Sequence, residues 1–354
     1  MKKILITTGG TGGHVIPAKI IEEHLRNNFE IYYSTDVRGL KYSSFSTDKT
    51  IVINTPRFNL DIYLPFKFLK LIYLIFRSIF FLKKKKIEKV MSIGGYMSLP
   101  LIIAAKILGL VIILLEPNLV LGRGNRFFLN FSKKIICYSN ELSNFPKKFF
   151  HKIELIKPLV PKDFYFLERN KESDDKYCFL IFGGSQGAEI FNDIICEVMF
   201  NISKSFRIKV IQQTNTGNVK ILNKFYNSKN IENKIFSFEN KFFDLIKMSD
   251  LCITRAGATS LAEISFLNKP FIAIPLPTAK DDHQMKNAQF YEKMGCCWVL
   301  EQNNLSIEKL TNFISNILKE KSEFNNKKLN LEKLNYNNSW NDINQKLIRL
   351  FNEN

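Results

Sequence analysis

The chain has 354 residues, a length typical of two domains or of one large one. Hydrophobic residues make up 45% and charged residues 24%, which excludes a wholly disordered chain, a collagen and a disulfide-stapled miniprotein. The formal net charge is +18, an excess that favours anionic partners such as nucleic acid, anionic lipid or phosphorylated substrates. Drift of the composition towards lysine explains the net charge equally well. The positions of the lysines along the chain must decide between drift and an anionic partner.

The cysteines predict neither a disulfide framework nor a metal site. None of the six forms a Cys-x-x-Cys pair, and no histidine lies at zinc-ligand spacing from them. They indicate free, mostly buried thiols in a reducing cytoplasm.

The first residues in the chain alternate strand, loop and helix. Ile4–Thr7 is strand-like, and its apolar run is too short for a signal peptide. A glycine loop leads through His14 into a helix whose first turn should hold Pro17. Ile31–Ser34 is the next short strand. This order predicts a parallel sheet covered by helices on both faces.

The same alternation continues in two series that are separated by a polar linker over residues 157–176. It predicts two similar α/β domains, residues 1–160 and 161–337, with a last helix within 338–354 packing back on the first domain. Further strands are predicted at Lys89–Ile93, Val111–Leu115, Ile135–Tyr138, Ile153–Ile156, Tyr177–Phe182, Ile208–Gln212, Leu251–Thr254 and Phe271–Ile274, and helices at Pro100–Leu108, Ala188–Phe200 and Ile343–Phe351.

One segment, Leu64–Leu82, is apolar and aromatic and is followed by four lysines. Lys67, Lys70 and Arg77 inside it make a membrane span too costly. One helical stripe can face the core, whereas the other needs a second apolar environment. The segment is either an ordinary buried helix or an interfacial membrane anchor whose lysines meet anionic headgroups. The anchor interpretation assigns these residues to the membrane: Lys67, Leu71, Leu74, Ile75, Phe76, Ile79, Phe80 and Lys83.

The glycine loop before His14 suits an anion, because it offers backbone N–H groups at a helix start. It lacks the Lys-Ser/Thr pair of a P-loop and the spacing of a dinucleotide fingerprint. His14 is placed to act as a general base or to orient an oxyanion, although a lone loop histidine is more often structural.

Three further polar loops follow predicted strands in the second series. Gly183–Gly187 holds Ser185, whose hydroxyl suits a phosphate, and Arg255–Glu263 combines small residues with a carboxylate that can bind vicinal hydroxyls. The stretch Asp281–Asn287 offers side chains suited to sugar hydroxyls. Each loop alone is a weak signal, but loops at strand ends in both halves would face one cleft.

Together these motifs resemble the MurG family, the bacterial UDP-N-acetylglucosamine transferases that convert lipid I to lipid II in peptidoglycan synthesis. The resemblance spans nearly the whole chain. It is carried, in the family's order, by Gly9–His14 with Pro17-Ala18, Gly94–Pro100, Glu116, Asn118 and Asn125-Arg126, Gly183–Ala188, Arg255–Glu263, Asp282–Gln284 and Asn287-Ala288.

The resemblance implies a GT-B fold of two Rossmann-like parallel-sheet domains facing a central cleft, with UDP-sugar bound mainly in the C-terminal half. It implies that Ser185 and Ala258–Ser260 hold the diphosphate, Glu263 the ribose, and His283 and Gln284 the sugar. The implied donor-binding residues are Thr11, Gly12, Gly13, Asn118, Ser185, Phe238, Ala258, Thr259, Ser260, Glu263, His283 and Gln284, and the acceptor-binding residues are Gly13, His14, Tyr96 and Asn118.

The implied substrates are UDP-N-acetylglucosamine and lipid I, with no cofactor, no metal and no nucleic acid. The implied location is peripheral, on the cytoplasmic side of the inner membrane, which favours the anchor interpretation of Leu64–Lys86. Other cell-wall enzymes stay open as partners.

The chain departs from the family at two places. Pro117 stands where the family has Gln, and Lys157–Val160 lacks the Arg that the family carries near the linker. Lys162 substitutes for that Arg, or the contact is lost, so a divergent acceptor stays open.

The implied reaction is an inverting in-line displacement by the muramyl 4-hydroxyl, with His14 as the candidate base. One alternative is another nucleotide-sugar enzyme of the same fold, either a lipid glycosyltransferase outside cell-wall synthesis or a sugar 2-epimerase. The missing acidic and basic catalytic cluster disfavours the epimerase. A non-catalytic nucleic-acid or membrane-binding protein would explain the +18 charge but not the four polar loops.

Overall fold

The structure, a computed structural model, describes residues 1–10, 12–42, 46–58, 61–166, 175–183 and 190–353. Two of the predicted site residues, Thr11 and Ser185, lie outside the described residues. The chain divides into two compact units, one formed by Met1–Lys162 with Asn338–Asn354 and the other by Asp163–Asn337. Each unit has its own sheet and its own hydrophobic core.

The first unit contains a seven-stranded parallel sheet in the spatial order β3-β2-β1-β4-β5-β6-β7. Its central strands β1, β4, β5 and β6 are largely buried on both faces, as a parallel sheet covered by helices requires. The strands are Lys2–Thr7 (β1), Phe29–Thr35 (β2), Thr50–Val52 (β3), Lys89–Ser92 (β4), Val111–Glu116 (β5), Lys134–Cys137 (β6) and Ile153–Leu155 (β7), and the helices are Gly12–Leu25 (α1), Leu64–Lys85 (α2), Leu99–Ile107 (α3) and Arg123–Phe128 (α4).

The strand register brings three loops of the first unit to one edge of the sheet. Thr7, at the end of β1, pairs with Ser34 of β2 and with Ser92 of β4. Because β2 and β4 lie on opposite sides of β1, the chain order reverses at this strand. Such a switch point opens a crevice beyond the carboxyl ends of the strands, where ligands bind in open α/β sheets.

The second unit repeats this plan with six parallel strands in the order β10-β9-β8-β11-β12-β13. Thr254, at the end of β11, pairs with Phe182 and Ala273 on its two sides. The strands are Tyr177–Phe182 (β8), Ile208–Gln213 (β9), Glu232–Phe236 (β10), Leu251–Thr254 (β11), Phe271–Ala273 (β12) and Cys297–Val299 (β13), and the helices are Cys196–Ser203 (α5), Val219–Ser228 (α6), Phe242–Met248 (α7), Ala258–Phe266 (α8), His283–Lys293 (α9), Ile307–Lys319 (α10) and Lys321–Leu334 (α11).

The last helix, Trp340–Asn352 (α12), packs against α1 of the first unit. Trp340 stacks on the buried His24 with ring centroids 3.5 Å apart. Asn344 Nδ2 donates to the His24 carbonyl over 2.7 Å, and Phe351 lies against Phe29. These contacts hold the C-terminal helix on the sheet that begins the chain.

The α/β class with two parallel sheets is confirmed, but some local predictions are wrong. The first helix begins at Gly12, so Pro17 lies inside it rather than in its first turn, and the Gly13 carbonyl loses its helical donor. A π-helical turn, Phe191–Ile195, precedes α5 where a continuous helix was predicted. Each of the strands β3, β10 and β13, which were not predicted, lies at an edge of its sheet. The strands β3 and β13 are only 3 residues long, and β10 is only partly apolar.

One face of α2 belongs to the core and the other is exposed. Leu74 is buried, and Ile75 and Ile79 pack half-buried against the same core. The prediction that Leu74 contacts a membrane is therefore wrong, because this stripe closes the core of the first unit. The exposed apolar side chains of the helix are Phe66, Phe68, Leu69, Ile72, Tyr73, Phe76 and Phe80. None of the described helices is long and apolar enough to cross a membrane.

Candidate functional site

Tight glycine turns leave β1 and β4 at the edge of the first sheet. Gly10, Gly94 and Gly95 have φ angles of 84°, 89° and 84°, in the left-handed region that favours glycine. A Cβ on Gly9 would lie 2.8 Å from Asp36 Oδ1, so the loop can approach this carboxylate only without a side chain. The Gly10 amide is bonded to this carboxylate, so an anion at the switch point can meet only the remaining backbone amides of the turns.

Asp36, directly after β2, anchors the first glycine turn and was not predicted from the sequence. Its Oδ1 accepts the N–H groups of Gly10 over 2.9 Å and Gly39 over 2.8 Å, and Arg38 Nε donates to its Oδ2 over 2.8 Å. Burial acts to raise the pKa of Asp36, but these hydrogen bonds outweigh burial and hold the pKa below its ordinary value. The signal was available, since Asp36 follows the strand beside β1.

Arg38 connects this anchor to the glycine turn after β4. Its Nη2 lies 3.4 Å from the Tyr96 hydroxyl, and a Cβ on Gly10 would lie 3.5 Å from the same nitrogen. The hydrogen bond with Asp36 raises the pKa of Arg38 above its ordinary value. The guanidinium therefore stays charged beside both glycine turns.

The predicted acceptor residues Gly13, His14 and Tyr96 all lie in the segments that leave β1 and β4 at this edge. His14 is the third residue of α1 and is half-buried. Tyr96 is exposed and opens a short 3-10 turn before α3. A helix start favours negative charge, which is consistent with an anionic ligand here.

Asn118 belongs to a buried cluster built around Glu116 at the end of β5. Glu116 accepts the backbone and side-chain N–H groups of Asn118, both over 3.1 Å, and the N–H of Gly122 over 2.8 Å. Asn125 Nδ2 donates to the same carboxyl over 3.0 Å. Burial raises the pKa of Glu116 despite these hydrogen bonds. Glu116 therefore shapes the loop that carries Asn118. These hydrogen bonds form in a loop that has Pro117 where the family has Gln.

The start of α8 provides the phosphate-type site of the second unit. Gly257 precedes the helix in extended conformation and, as a glycine, offers no side chain to cap it. The small residues Ala258, Thr259 and Ser260 form its first turn and are half-buried. Helix N–H groups without a capping side chain, together with the helix dipole, suit an anion.

Glu263 lies on the second turn of the same helix. Its half-buried carboxyl has no hydrogen-bond or ion-pair partner among the residues that the structure describes. Burial raises the pKa of Glu263 to about 8. A carboxyl group without a partner among the described residues is suited to a ligand that brings hydroxyl groups.

Gln284 and His283 open α9, beside the ends of β11 and β12. Gln284 Oε1 accepts the N–H groups of Ala256 over 3.3 Å and Leu276 over 3.0 Å, which leaves its Nε2 to face a ligand. His283 Nδ1 donates to the Lys280 carbonyl over 2.7 Å, so Nε2 is the outward nitrogen of this ring. Both predicted sugar contacts therefore keep one nitrogen outside the hydrogen bonds made by the described residues.

Arg255 has a structural task in this site. Its guanidinium donates to the Ile274 carbonyl over 2.9 Å and to Gln302 Oε1 over 2.6 Å, and it lies 5.1 Å from the centre of the Phe191 ring. Burial lowers the pKa of Arg255. It joins the ends of β11 and β12 and the turn before α5, and the sequence offered no signal for Gln302.

Two other residues from the sequence analysis lie apart from these hydrogen-bond groups. Phe238 is exposed in the loop after β10. The Lys162 ammonium lies 5.8 Å from the centre of the Trp340 ring, beside the last helix. The described residues include no group of three or more His, Cys, Asp or Glu side chains that could hold a metal ion.

Comparisons with known families match both units. Residues 4–137 match the model described as glycosyltransferase family 28 N-terminal domain, and residues 178–342 match the model described as glycosyltransferase family 28 C-terminal domain. The matches cover both glycine turns of the first unit and the α8 and α9 sites of the second.

Curated relatives extend over the full chain. A protein of Pelagibacter ubique is 46% identical over 100% of this chain and 99% of its own length. A protein of Rickettsia bellii is 32% identical over 94% of this chain and 95% of its own length. Both are named UDP-N-acetylglucosamine–N-acetylmuramyl-(pentapeptide) pyrophosphoryl-undecaprenol N-acetylglucosamine transferase.

Solved structures agree with this fold. The crystal structure of MurG from Acinetobacter baumannii has a TM-score of 0.78 and 22% identity, and 99% of each chain is covered. A UDP-N-acetylglucosamine 2-epimerase has a TM-score of 0.63 and 12% identity over 93% of this chain and 90% of that chain. At these identities the likeness concerns the fold alone.

Proposed function

The chain belongs to glycosyltransferase family 28 and, within it, to the MurG family, and from this membership we propose that it transfers N-acetylglucosamine from UDP-N-acetylglucosamine to lipid I. The product is lipid II, the precursor for peptidoglycan synthesis. The observation that carries the proposal is the 46% identity, over the full chain, to a curated transferase of this name.

The second unit binds the donor in this proposal. The first turn of α8, Ala258–Ser260, receives the diphosphate, and the Glu263 carboxyl receives the ribose hydroxyls. The support is that the N-cap residue of α8, Gly257, offers no capping side chain and that Glu263 lacks a partner among the described residues. Gln284 Nε2 and His283 Nε2 contact the sugar, Ser185 contributes to the diphosphate site, and the uracil lies near Phe238.

The leaving UDP gains negative charge as the bond to the anomeric carbon breaks. Backbone N–H groups and the dipole of α8 stabilise that charge where it develops, and they require no reorganisation during the reaction. The proposal therefore assigns this role to the helix start rather than to a metal ion.

The first unit binds the acceptor. The lipid I diphosphate lies against the glycine turns after β1 and β4, with Gly13, Tyr96 and Asn118 around the saccharide. His14 takes the proton from the muramyl 4-hydroxyl as this oxygen attacks the anomeric carbon, which inverts the configuration there. The support is the position of His14 in the first turn of α1, at the switch point of the sheet.

The exposed face of α2 holds the enzyme at the cytoplasmic surface of the inner membrane, where its lipid-linked substrate resides. Phe76 and Phe80 are 66% and 67% exposed, whereas phenylalanine side chains are usually buried in a globular protein. Lys83–Lys86 follow at the helix end, where an anionic surface would attract them.

Transfer of radiolabelled sugar from UDP-N-acetylglucosamine to a short-chain lipid I analogue tests the function. We expect product formation that depends on both substrates. If no sugar is transferred to the lipid I analogue but sugar is transferred to a different lipid acceptor, the chain is a lipid glycosyltransferase outside cell-wall synthesis. Conversion of free UDP-N-acetylglucosamine to its 2-epimer without an acceptor would contradict the transferase assignment altogether.

A further inference from the structure

We propose that Arg38 is a further acceptor-binding residue, which Asp36 and Tyr96 hold in place so that its free nitrogen binds the acceptor diphosphate. The inference rests on the proposed function for the identity of the acceptor. The juxtaposition itself, an arginine between two left-handed glycine turns, is independent of that function.

The position of Arg38 is determined by two contacts in the loops that follow different strands, β2 and β4. Its Nε donates to Asp36 Oδ2 over 2.8 Å, and its Nη2 reaches the Tyr96 hydroxyl at 3.4 Å. Asp36 is in turn held by the N–H groups of Gly10 and Gly39. The guanidinium is thus pre-organised, and little side-chain entropy remains to be lost when a ligand binds.

The third guanidinium nitrogen, Nη1, makes no hydrogen bond or ion pair with any residue that the structure describes. The Arg38 side chain is 45% exposed, whereas Asp36 is almost completely buried. The pair therefore presents its positive member to solvent and its negative member to the protein.

The surroundings of Arg38 select an anion. Gly10 lies beside the guanidinium, since a Cβ there would make an ordinary van der Waals contact of 3.5 Å with Nη2. Backbone amides of the glycine turns and the start of α1 lie along the same edge of the sheet. A planar guanidinium beside backbone amides matches the geometry of phosphate oxygens, and the acceptor is the substrate that this unit must hold by a diphosphate.

Kinetics of purified full-length enzyme with the short-chain lipid I analogue test the inference. We expect Arg38→Ala to raise the KM for the acceptor roughly tenfold or more, with the KM for UDP-N-acetylglucosamine unchanged. Arg38→Lys should recover only part of this loss, because a single ammonium nitrogen lacks the planar fork with which separate guanidinium nitrogens face Asp36, Tyr96 and phosphate. Arg26→Ala is the matched control, since Arg26 is exposed just beyond the other end of α1.

A titration with inorganic pyrophosphate, in the presence of saturating UDP to fill the donor site, measures the site without turnover. We expect Arg38→Ala to weaken this binding while Arg26→Ala leaves it unchanged. Equal pyrophosphate affinity in wild type and Arg38→Ala, or a loss of kcat and thermal stability with unchanged acceptor KM, would overturn the inference. Failure of the wild type to transfer sugar would overturn the proposed function instead, and the titration would still decide the role of Arg38.

Discussion

His24 and Trp340 stack face to face, with ring centroids 3.5 Å apart and ring planes 17° apart. The pair joins α1, near the start of the chain, to α12, near its end. Both ring nitrogens of His24 are buried without a hydrogen-bond partner among the described residues. Burial, aided by the charge of Lys162, lowers the pKa of His24 to about 3, so the ring is neutral in the folded protein.

The burial of the neutral His24 ring predicts that the folded protein loses stability at acidic pH. The unfolded chain binds the His24 proton near the ordinary pKa of about 6.5, so stability is full above that pH and falls as the pH decreases towards 3. The contribution lost at pH 5.5 is about 1.4 kcal/mol. Thermal unfolding between pH 7.5 and 5.5 should show a smaller decrease in His24→Phe than in wild type. His151→Gln, at an exposed site, is the control, and equal pH slopes in His24→Phe and wild type would contradict the prediction.

The raised pKa of Glu263 predicts that a proton is released when UDP binds. Its pKa of about 8 keeps most of the carboxyl groups protonated at pH 7, whereas ribose hydroxyls donate best to the ionised form. UDP affinity should therefore rise with pH up to about 8 and then level off. Calorimetry in buffers of different ionisation enthalpy measures the released proton.

Glu263→Gln is the variant that tests this proton release. It should bind UDP roughly tenfold more weakly or worse and release no proton, while the unliganded protein is at least as stable, because a neutral glutamine needs no proton uptake on folding. Proton release equal to that of wild type would assign the titration to another group.

Gln284 predicts that sugar binding and loop stability can be separated. Its Oε1 accepts the Ala256 and Leu276 N–H groups, and a glutamate retains this acceptor oxygen but loses the Nε2 donor. Gln284→Glu should keep the thermal stability and the UDP affinity while raising the KM for UDP-N-acetylglucosamine. Gln284→Ala should lower thermal stability as well, by about 1–3 kcal/mol for the buried amides left unpaired. An unchanged KM in Gln284→Glu would remove Gln284 from the sugar site.

The exposed face of α2 predicts binding to anionic vesicles. Phe76→Ser combined with Phe80→Ser removes apolar area that inserts into the interface, worth up to about 2 kcal/mol per ring, so vesicle binding should fall at least roughly tenfold. Raising the salt concentration should weaken wild-type binding too, because Lys83–Lys86 act through charge. Co-sedimentation with vesicles measures both effects.

A matched control for the α2 face lies in the second unit. Ile221 and Leu329 are also exposed, and serine at both positions should leave vesicle binding unchanged. Equal losses in the two double variants would mean that the α2 face has no special role.

His14 predicts a chemical rather than a structural loss. Removal of a general base typically costs about 10²–10⁴ in rate, so His14→Ala should lower kcat by that factor. The melting temperature and the UDP affinity should stay close to those of wild type. A less stable protein with normal specific activity would assign His14 a purely structural task.

The sequence by itself determined the two α/β units and most of their site loops. Continuous apolar runs as short as Val111–Leu115 favour buried strands, and glycine loops directly after Ile4–Thr7 and Tyr177–Phe182 mark repeated strand–loop–helix openings. These signals are local, because one strand and its following loop are adjacent along the chain. Edge strands such as Glu232–Phe236 were missed because their residues are only partly apolar.

The tertiary structure alone decided which side chains meet across strands. Asp36 and Gly10 are 26 residues apart in the chain, and Arg38 and Tyr96 are 58 apart, so no local pattern joins them. They meet because β2 and β4 flank β1 in a parallel register that brings their carboxyl ends to one edge. The tertiary structure also decided that Leu74 lies in the core rather than at a membrane. Helical periodicity defines two stripes on α2, but it does not say which of them packs against the sheet.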